Sequence, residues 1–249
     1  MYQEISQLLM YGDLEEDSIL AQMGELFGKY ETGEYNKTGL VRDINTQVKR
    51  ILKVATDYGF DDNLWHNYLT FFLMMSENPF SMTCEKVGAS DGSVNALVEN
   101  DFRIFKALFD YDFGPIEKDL GIHCFSQISN YKAIHKKDLM YNKNVSEKVR
   151  SLSKKLEAAK DEKEFFDAVT GFYKDYGVGM FGLNKAFRID DTPQGSFTFR
   201  AINNMDTVML DDLVGYEIQK KKLVDNTEAF VQGKKANNVL LFGDSGTGK

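Results

Sequence analysis

The sequence predicts a mainly α protein: a helical N-terminal domain over residues 1–175, a β-hairpin and linker over 176–209, and the truncated start of an α/β domain over 210–249. Three observations lead there. Apolar residues recur at steps of three and four through most of the first 175 positions. The texture then changes to glycines, aromatics and a turn signal, "DDTPQG". Near its end the chain carries a continuous apolar run, "VLLF", followed at once by glycines.

In chain order, "YQEISQLLM" and "SILAQMGELFGKY" read as two helices split by the acidic turn Asp13–Asp17. In "GLVRDINTQVKRILKVATDYGF", Val41, Ile44, Val48, Ile51, Leu52 and Ala55 form one stripe, and Gly59 supplies a C-terminal stop. "LWHNYLTFFLMM" (Leu64–Met75) is apolar all round but far shorter than the ~20 residues of a membrane span, so it reads as a buried core helix. "SVNALVENDFRIFKALF" aligns Val94, Leu97, Val98, Phe105 and Leu108, with Ser93 as its cap. "DEKEFFDAVTGFYKDYG" opens with Asp161 and Glu164 at capping-box spacing, presents Phe165, Ala168, Val169, Phe172 and Tyr173, and ends at Gly177.

Phe187–Ile189 and Phe197–Ile202 flank the turn as the two arms of a hairpin, and "NNMDTVML" reads as a linker. A helix from about Tyr216 to Gln232 then carries Tyr216, Leu223, Thr227 and Phe230 on one face, and Gly233 closes it. Val239–Phe242 has the pattern of a parallel strand buried on both faces.

Composition narrows the function classes. A net charge of −8 argues against a dedicated nucleic-acid module, which relies on cations to displace counterions. The lysine runs at 136–137, 154–155 and 220–222 are short and read as solvated helix faces. Cys84 and Cys124 lie far apart with no CxxC, so no disulfide framework is indicated. The acidic N-terminus lacks the basic start of a signal peptide. Together these predict a cytoplasmic protein with no membrane partner.

The last residues, "GDSGTGK", fit the phosphate-wrapping pattern G-x-x-x-x-G-K-[ST] at Gly243, Gly248 and Lys249. Glycines let successive backbone N–H groups turn inward around phosphate oxygens, the lysine reaches the β and γ charges, and the next hydroxyl holds Mg²⁺. Three fixed letters arise by chance in roughly 10% of chains of this length, so the preceding "VLLF" decides the reading. The Ser/Thr position falls after the last residue.

"LDDLVGYEIQKKKLVDNTEAFV" followed by "NNVLLFGDSGTGK" resembles the opening of an AAA+ ATPase module. More closely, "ENPFS" (Glu77–Ser81), "YGVGMFGLNKAFRI" (Tyr176–Ile189) and the run from Leu210 to Lys249 resemble a bacterial family of AAA-type ATP-binding proteins, the domain of unknown function 815. The resemblance implies that backbone groups of Leu213, Val214 and Gly215 line an adenine pocket and that Tyr216 flanks the base. It implies that Gly243, Asp244, Ser245, Gly246, Thr247 and Gly248 hold the β-phosphate and that Lys249 neutralises the β and γ charges. ATP and Mg²⁺ are then ligands of a full-length parent that is an ATPase and forms homo-oligomers. The 249 residues themselves are expected to lack hydrolysis, since no second acidic motif, sensor or arginine finger is present. They are expected to bind neither ATP nor Mg²⁺ themselves, and residues after about Asn237 are expected to be disordered or to dock away from their native place. The N-terminal domain would engage a protein partner or substrate. The alternative is a self-standing helical interaction module with no nucleotide role.

Elsewhere the residues suggest ordinary structure. His66 has no His or Cys one turn away and reads as a core histidine; His123, Cys124 and His135 have no metal-site spacing. Cys84 reads as a buried inert thiol, and Asp110 and Asp112 as loop acids rather than a catalytic pair. Phe181, Phe187, Phe197 and Phe199 are expected on a sheet face that covers a core, with base stacking as the functional alternative. No catalytic constellation stands out in residues 1–175.

Overall fold

Side-chain caps and left-handed glycines punctuate the helices. A computed structural model describes residues 1–89, 92–134, 142–192, 195–203 and 209–244, divided into two compact units, Met1–Asn204 and Met205–Lys249.

The first unit runs through α1 (Tyr2–Ile5), α2 (Ile19–Thr32), α3 (Lys37–Tyr58), α4 (Leu64–Met75), α5 (Pro79–Val87) and α6 (Ser93–Phe109). It continues with α7 (Gly114–Leu120), α8 (Cys124–Ser129), α9 (Lys143–Ala158), α10 (Glu162–Tyr176) and α11 (Gly179–Leu183). An antiparallel hairpin, β1 (Phe187–Asp191) and β2 (Phe197–Ala201), completes it. The expected mainly α class with a hairpin is therefore present. Ser18, Asn36, Asn63 and Asp161 accept backbone N–H groups at the starts of α2, α3, α4 and α10, which satisfies donors that a helix leaves open. Gly59 ends α3 with φ 68°.

The apolar helix α4 sits at the centre, packed against α3, α6, α8, α9 and α11. Several hydrogen bonds tie it to neighbouring elements. Trp65 donates from Nε1 to the Leu108 carbonyl at 2.9 Å, and Tyr173 of α10 donates to the Leu73 carbonyl at 2.8 Å. The Tyr68 hydroxyl accepts from the Leu20 N–H at 3.0 Å, at the start of α2. Buried aromatic pairs such as Phe113–Phe125, with centroids 4.3 Å apart, knit the helices together.

Three local expectations give way to tertiary structure. The first helix stops at Ile5 instead of running to Met10, because the N–H groups of Leu9, Met10 and Tyr11 donate to the buried Asp101 carboxylate of α6. Ser93 is the first residue of α6, behind Gly92, and makes no cap; Leu97 faces outward. The hairpin face does not cover a core. Its register pairs Phe187 with Ala201, Ile189 with Phe199 and Asp191 with Phe197 on one side, and Ile189, Phe197 and Phe199 are exposed.

His66 shows how burial sets a charge state. Its Nε2 lies 2.8 Å from the Phe109 carbonyl, which can only accept, so Nε2 carries the proton. Nδ1 is buried without a hydrogen-bond partner, 3.7 Å from Glu157. Burial holds the imidazole below its usual value, outweighing the Phe109 carbonyl and the Glu157 carboxylate, which favour the charged form. The unfolded chain then binds more protons, so the contribution is complete above about pH 6.5 and is lost as pH falls toward the folded value. His66→Gln keeps a donor to Phe109 and removes the titration. Urea midpoints at neutral and mildly acidic pH are expected to differ less in this variant than in the wild type; equal differences would refute the assignment.

In the second unit a 3-10 turn, Leu210–Asp212, leads through Gly215 (φ 86°) and Tyr216 (φ 59°) into α12 (Glu217–Val231). Gly233, with φ 68°, follows the helix end. Thr227 and Phe230, expected on a packed face, are exposed, and α12 buries no residue completely. Val239–Phe242 is not a strand, and Leu240 and Phe242 are 83% and 86% exposed. A strand needs backbone partners, and the described part of this unit offers none. The chain just before it is tied to α12 by side-chain mimicry of a ladder: Asn226 donates to the Asn237 carbonyl at 2.8 Å and accepts its N–H at 2.9 Å.

Candidate functional site

The second unit contains a cleft of about 500 Å³. Leu210 and Leu213 of the turn, Tyr216, Gln219, Lys220 and Leu223 of the helix face, and the segment Leu240–Asp244 line it. The helix residues follow from spacing: 219, 220 and 223 lie three, four and seven positions after Tyr216, on one side of α12.

Backbone geometry opens the cleft. Gly215 and Tyr216 are both left-handed, a rare state for a tyrosine, and this double reversal turns the chain into α12. Lys220 fixes the turn in place. Its ammonium donates to the Leu213 carbonyl at 3.0 Å and pairs with Glu217 at 2.9 Å. The lysine run at 220–222 therefore includes one cation with a structural task, while Lys221 pairs with Asp225 at 3.8 Å on the solvated side.

Of the residues implied for a base and phosphate site, the structure brings Leu213 and Tyr216 together with Gly243 and Asp244 around the cleft. Val214 is 95% exposed, and neither it nor Gly215 lines the cleft. Ser245, Gly246, Thr247, Gly248 and Lys249 lie outside the described residues. Leu210, Gln219, Lys220, Leu223 and Leu240–Phe242 line the cleft without being among the expected site residues; helical spacing from Tyr216 is the signal that points to Gln219, Lys220 and Leu223.

The other sequence candidates resolve into packing. Cys84 is buried, and burial pushes its thiol up, away from nucleophilic use. Asp110 ends α6, and Asp112 accepts the Gly114 N–H at 2.8 Å to start α7. His135 lies outside the described residues, among which no group of three His, Cys, Asp or Glu could hold a metal ion. Phe181 of α11 lies 4.9 Å from Phe187 and 5.4 Å from Phe199, and Phe199 lies 5.7 Å from Phe197, centroid to centroid. These four rings form one aromatic patch, with Phe181, Phe197 and Phe199 exposed and Phe187 half-buried, and Arg188 and Arg200 lie on the opposite hairpin face.

The fold defines a mainly helical protein with a small hairpin, in which, among the described residues, no helix is long and apolar enough to cross a membrane. Residues 183–249 match a family model described as protein of unknown function (DUF815), which supports the resemblance over the hairpin, α12 and the glycine-rich segment. No curated protein and no solved structure matches the chain.

Proposed function

We propose that residues 210–249 open the nucleotide-binding domain of an AAA-type ATP-binding protein whose N-terminal region is the helical unit. The observation that supports this is the cleft, where Leu213 and Tyr216 meet Gly243 and Asp244 from the start of the glycine-rich loop. Its volume suits a purine, and most of its walls are leucine, phenylalanine and one tyrosine, apolar surroundings that planar heterocycles favour, with Gln219, Lys220 and Asp244 as the polar side chains. Leu213 and Tyr216 would hold the base. Gly243 to Lys249 would cradle the phosphates of Mg-ATP, which supplies the phosphoryl group of the parent ATPase. On this reading the protein is cytoplasmic, its parent assembles as a homo-oligomer, and the helical unit engages a partner or substrate. The exposed aromatic patch on the hairpin is the feature that favours such engagement.

Base contacts alone supply about 4 kcal/mol, a millimolar dissociation constant. Saturation-transfer NMR of this chain with ATP is therefore expected to show transfer to the adenine protons. Tyr216→Asn keeps a residue that tolerates the left-handed backbone but removes the ring, and about a tenfold loss of affinity is expected. Tyr216→Phe should retain binding. No transfer in the wild type, or equal transfer in the Asn variant, would overturn the proposal.

A further inference from the structure

We propose that Gln219 reads the base in this cleft, its side-chain amide pairing with the amino group and adjacent ring nitrogen of adenine; the proposal rests on the nucleotide reading above. Gln219 sits one turn after Tyr216, and both line the same cleft. Leu210, Leu213, Leu223, Leu240, Leu241 and Phe242 around it offer a ligand edge no side-chain hydrogen bond; of the other polar side chains lining the cleft, Tyr216 is the stacking ring of the nucleotide reading and Asp244 belongs to its phosphate end. Lys220 is already committed to the Leu213 carbonyl and to Glu217. Among the described residues, the Gln219 amide makes no hydrogen bond to the protein, so it is available to a ligand.

The amide places one donor beside one acceptor in a plane. Adenine offers the complement, an amino donor beside a ring-nitrogen acceptor, on either of two edges. A carboxylate in the same place has acceptors only. It meets the ring nitrogen of adenine with repulsion, but it matches guanine, whose N1–H and N2–H₂ donate side by side. Gln219 thus determines specificity, while Tyr216 and the leucines supply sequence-blind stacking and burial.

The test compares ATP and GTP on the wild-type chain, Gln219→Glu and Gln219→Leu, by saturation-transfer titration with thermal melting as a folding control. Gln219 is exposed in the first turn of α12, where an acid suits the helix dipole, so Gln219→Glu should melt as the wild type does. The wild type is expected to favour ATP. Gln219→Glu is expected to lose about tenfold in ATP affinity and to favour GTP, and Gln219→Leu to lose ATP without gaining GTP. ATP binding with an unchanged ATP-to-GTP ratio in Gln219→Glu would overturn the role of Gln219 and leave the nucleotide reading standing. Absence of ATP binding in the wild type would overturn both.

Discussion

Asp101→Ala is expected to destabilise the helical unit by about 4 kcal/mol, read as a lower urea midpoint. Asp101 is fully buried on α6. Its carboxylate accepts the Leu9 N–H at 2.9 Å, the Met10 N–H at 2.7 Å and the Tyr11 N–H at 3.0 Å. Those donors belong to a segment that makes no helix and whose Leu8 and Tyr11 side chains are in the core. A buried carboxylate is tolerable only because the three N–H groups replace its water. Removing it orphans all three at about 1–3 kcal/mol each, less what water entry recovers. It also loosens Tyr11, whose hydroxyl lies 2.9 Å from that of Tyr173. Asp101→Asn keeps one acceptor oxygen but turns an amino group toward donors, so a smaller loss of about 2 kcal/mol is expected. A loss under about 1 kcal/mol in the alanine variant would show that the segment finds other partners.

The same residue marks where sequence reading stops. Periodicity is local, so it locates α3, α4 and α10, with Gly59 and Gly177 as stops and Asp161 as a cap, and both arms of the hairpin, but it does not name the Asn36 and Asn63 caps. It extended the first helix to Met10 because nothing within ten residues reveals that Asp101, some ninety positions later, takes those N–H groups. Binary patterning also gave the hairpin an apolar face but could not tell whether anything covers it. At the cleft, the family resemblance named Leu213, Tyr216, Gly243 and Asp244, which line it. It also named backbone groups of Val214 and Gly215, which do not line the cleft. Val239–Phe242 has a strand's composition without a strand's partners, and composition fixes no hydrogen bonds.

Gly182→Ala and Gly171→Ala are the same chemical change in two helices, and they are expected to move stability in opposite directions. Gly171 lies inside α10 with no atom within 4 Å of where a Cβ would stand. Alanine there lowers the entropy of the unfolded chain without a clash, so a gain of about 0.5–1 kcal/mol is expected. Gly182 in α11 is pressed against a neighbouring turn. A Cβ would fall 2.4 Å from the carbonyl carbon of Gly177 and 2.6 Å from its oxygen. Gly177 cannot yield easily, since it ends α10 with φ 84° and its N–H donates to the Tyr173 carbonyl at 2.8 Å. Nor can α11 slide away freely. Lys148 donates to the Gly182 carbonyl at 2.8 Å, and Asn144 to the Leu183 carbonyl at 2.6 Å. The methyl group must therefore move backbone, at a cost of about 3 kcal/mol. The shift would also carry Phe181 off Phe187 and Phe199, so the hairpin that follows α11 should lose amide-exchange protection before the rest of the unit does. Thermal melting of the two variants beside the wild type decides the matter. If both melt higher, the close approach of Gly182 to Gly177 does not constrain the fold; if the signs differ as expected, the glycines of "YGVGMFGL" are there to let α11 pack against this turn and carry the hairpin.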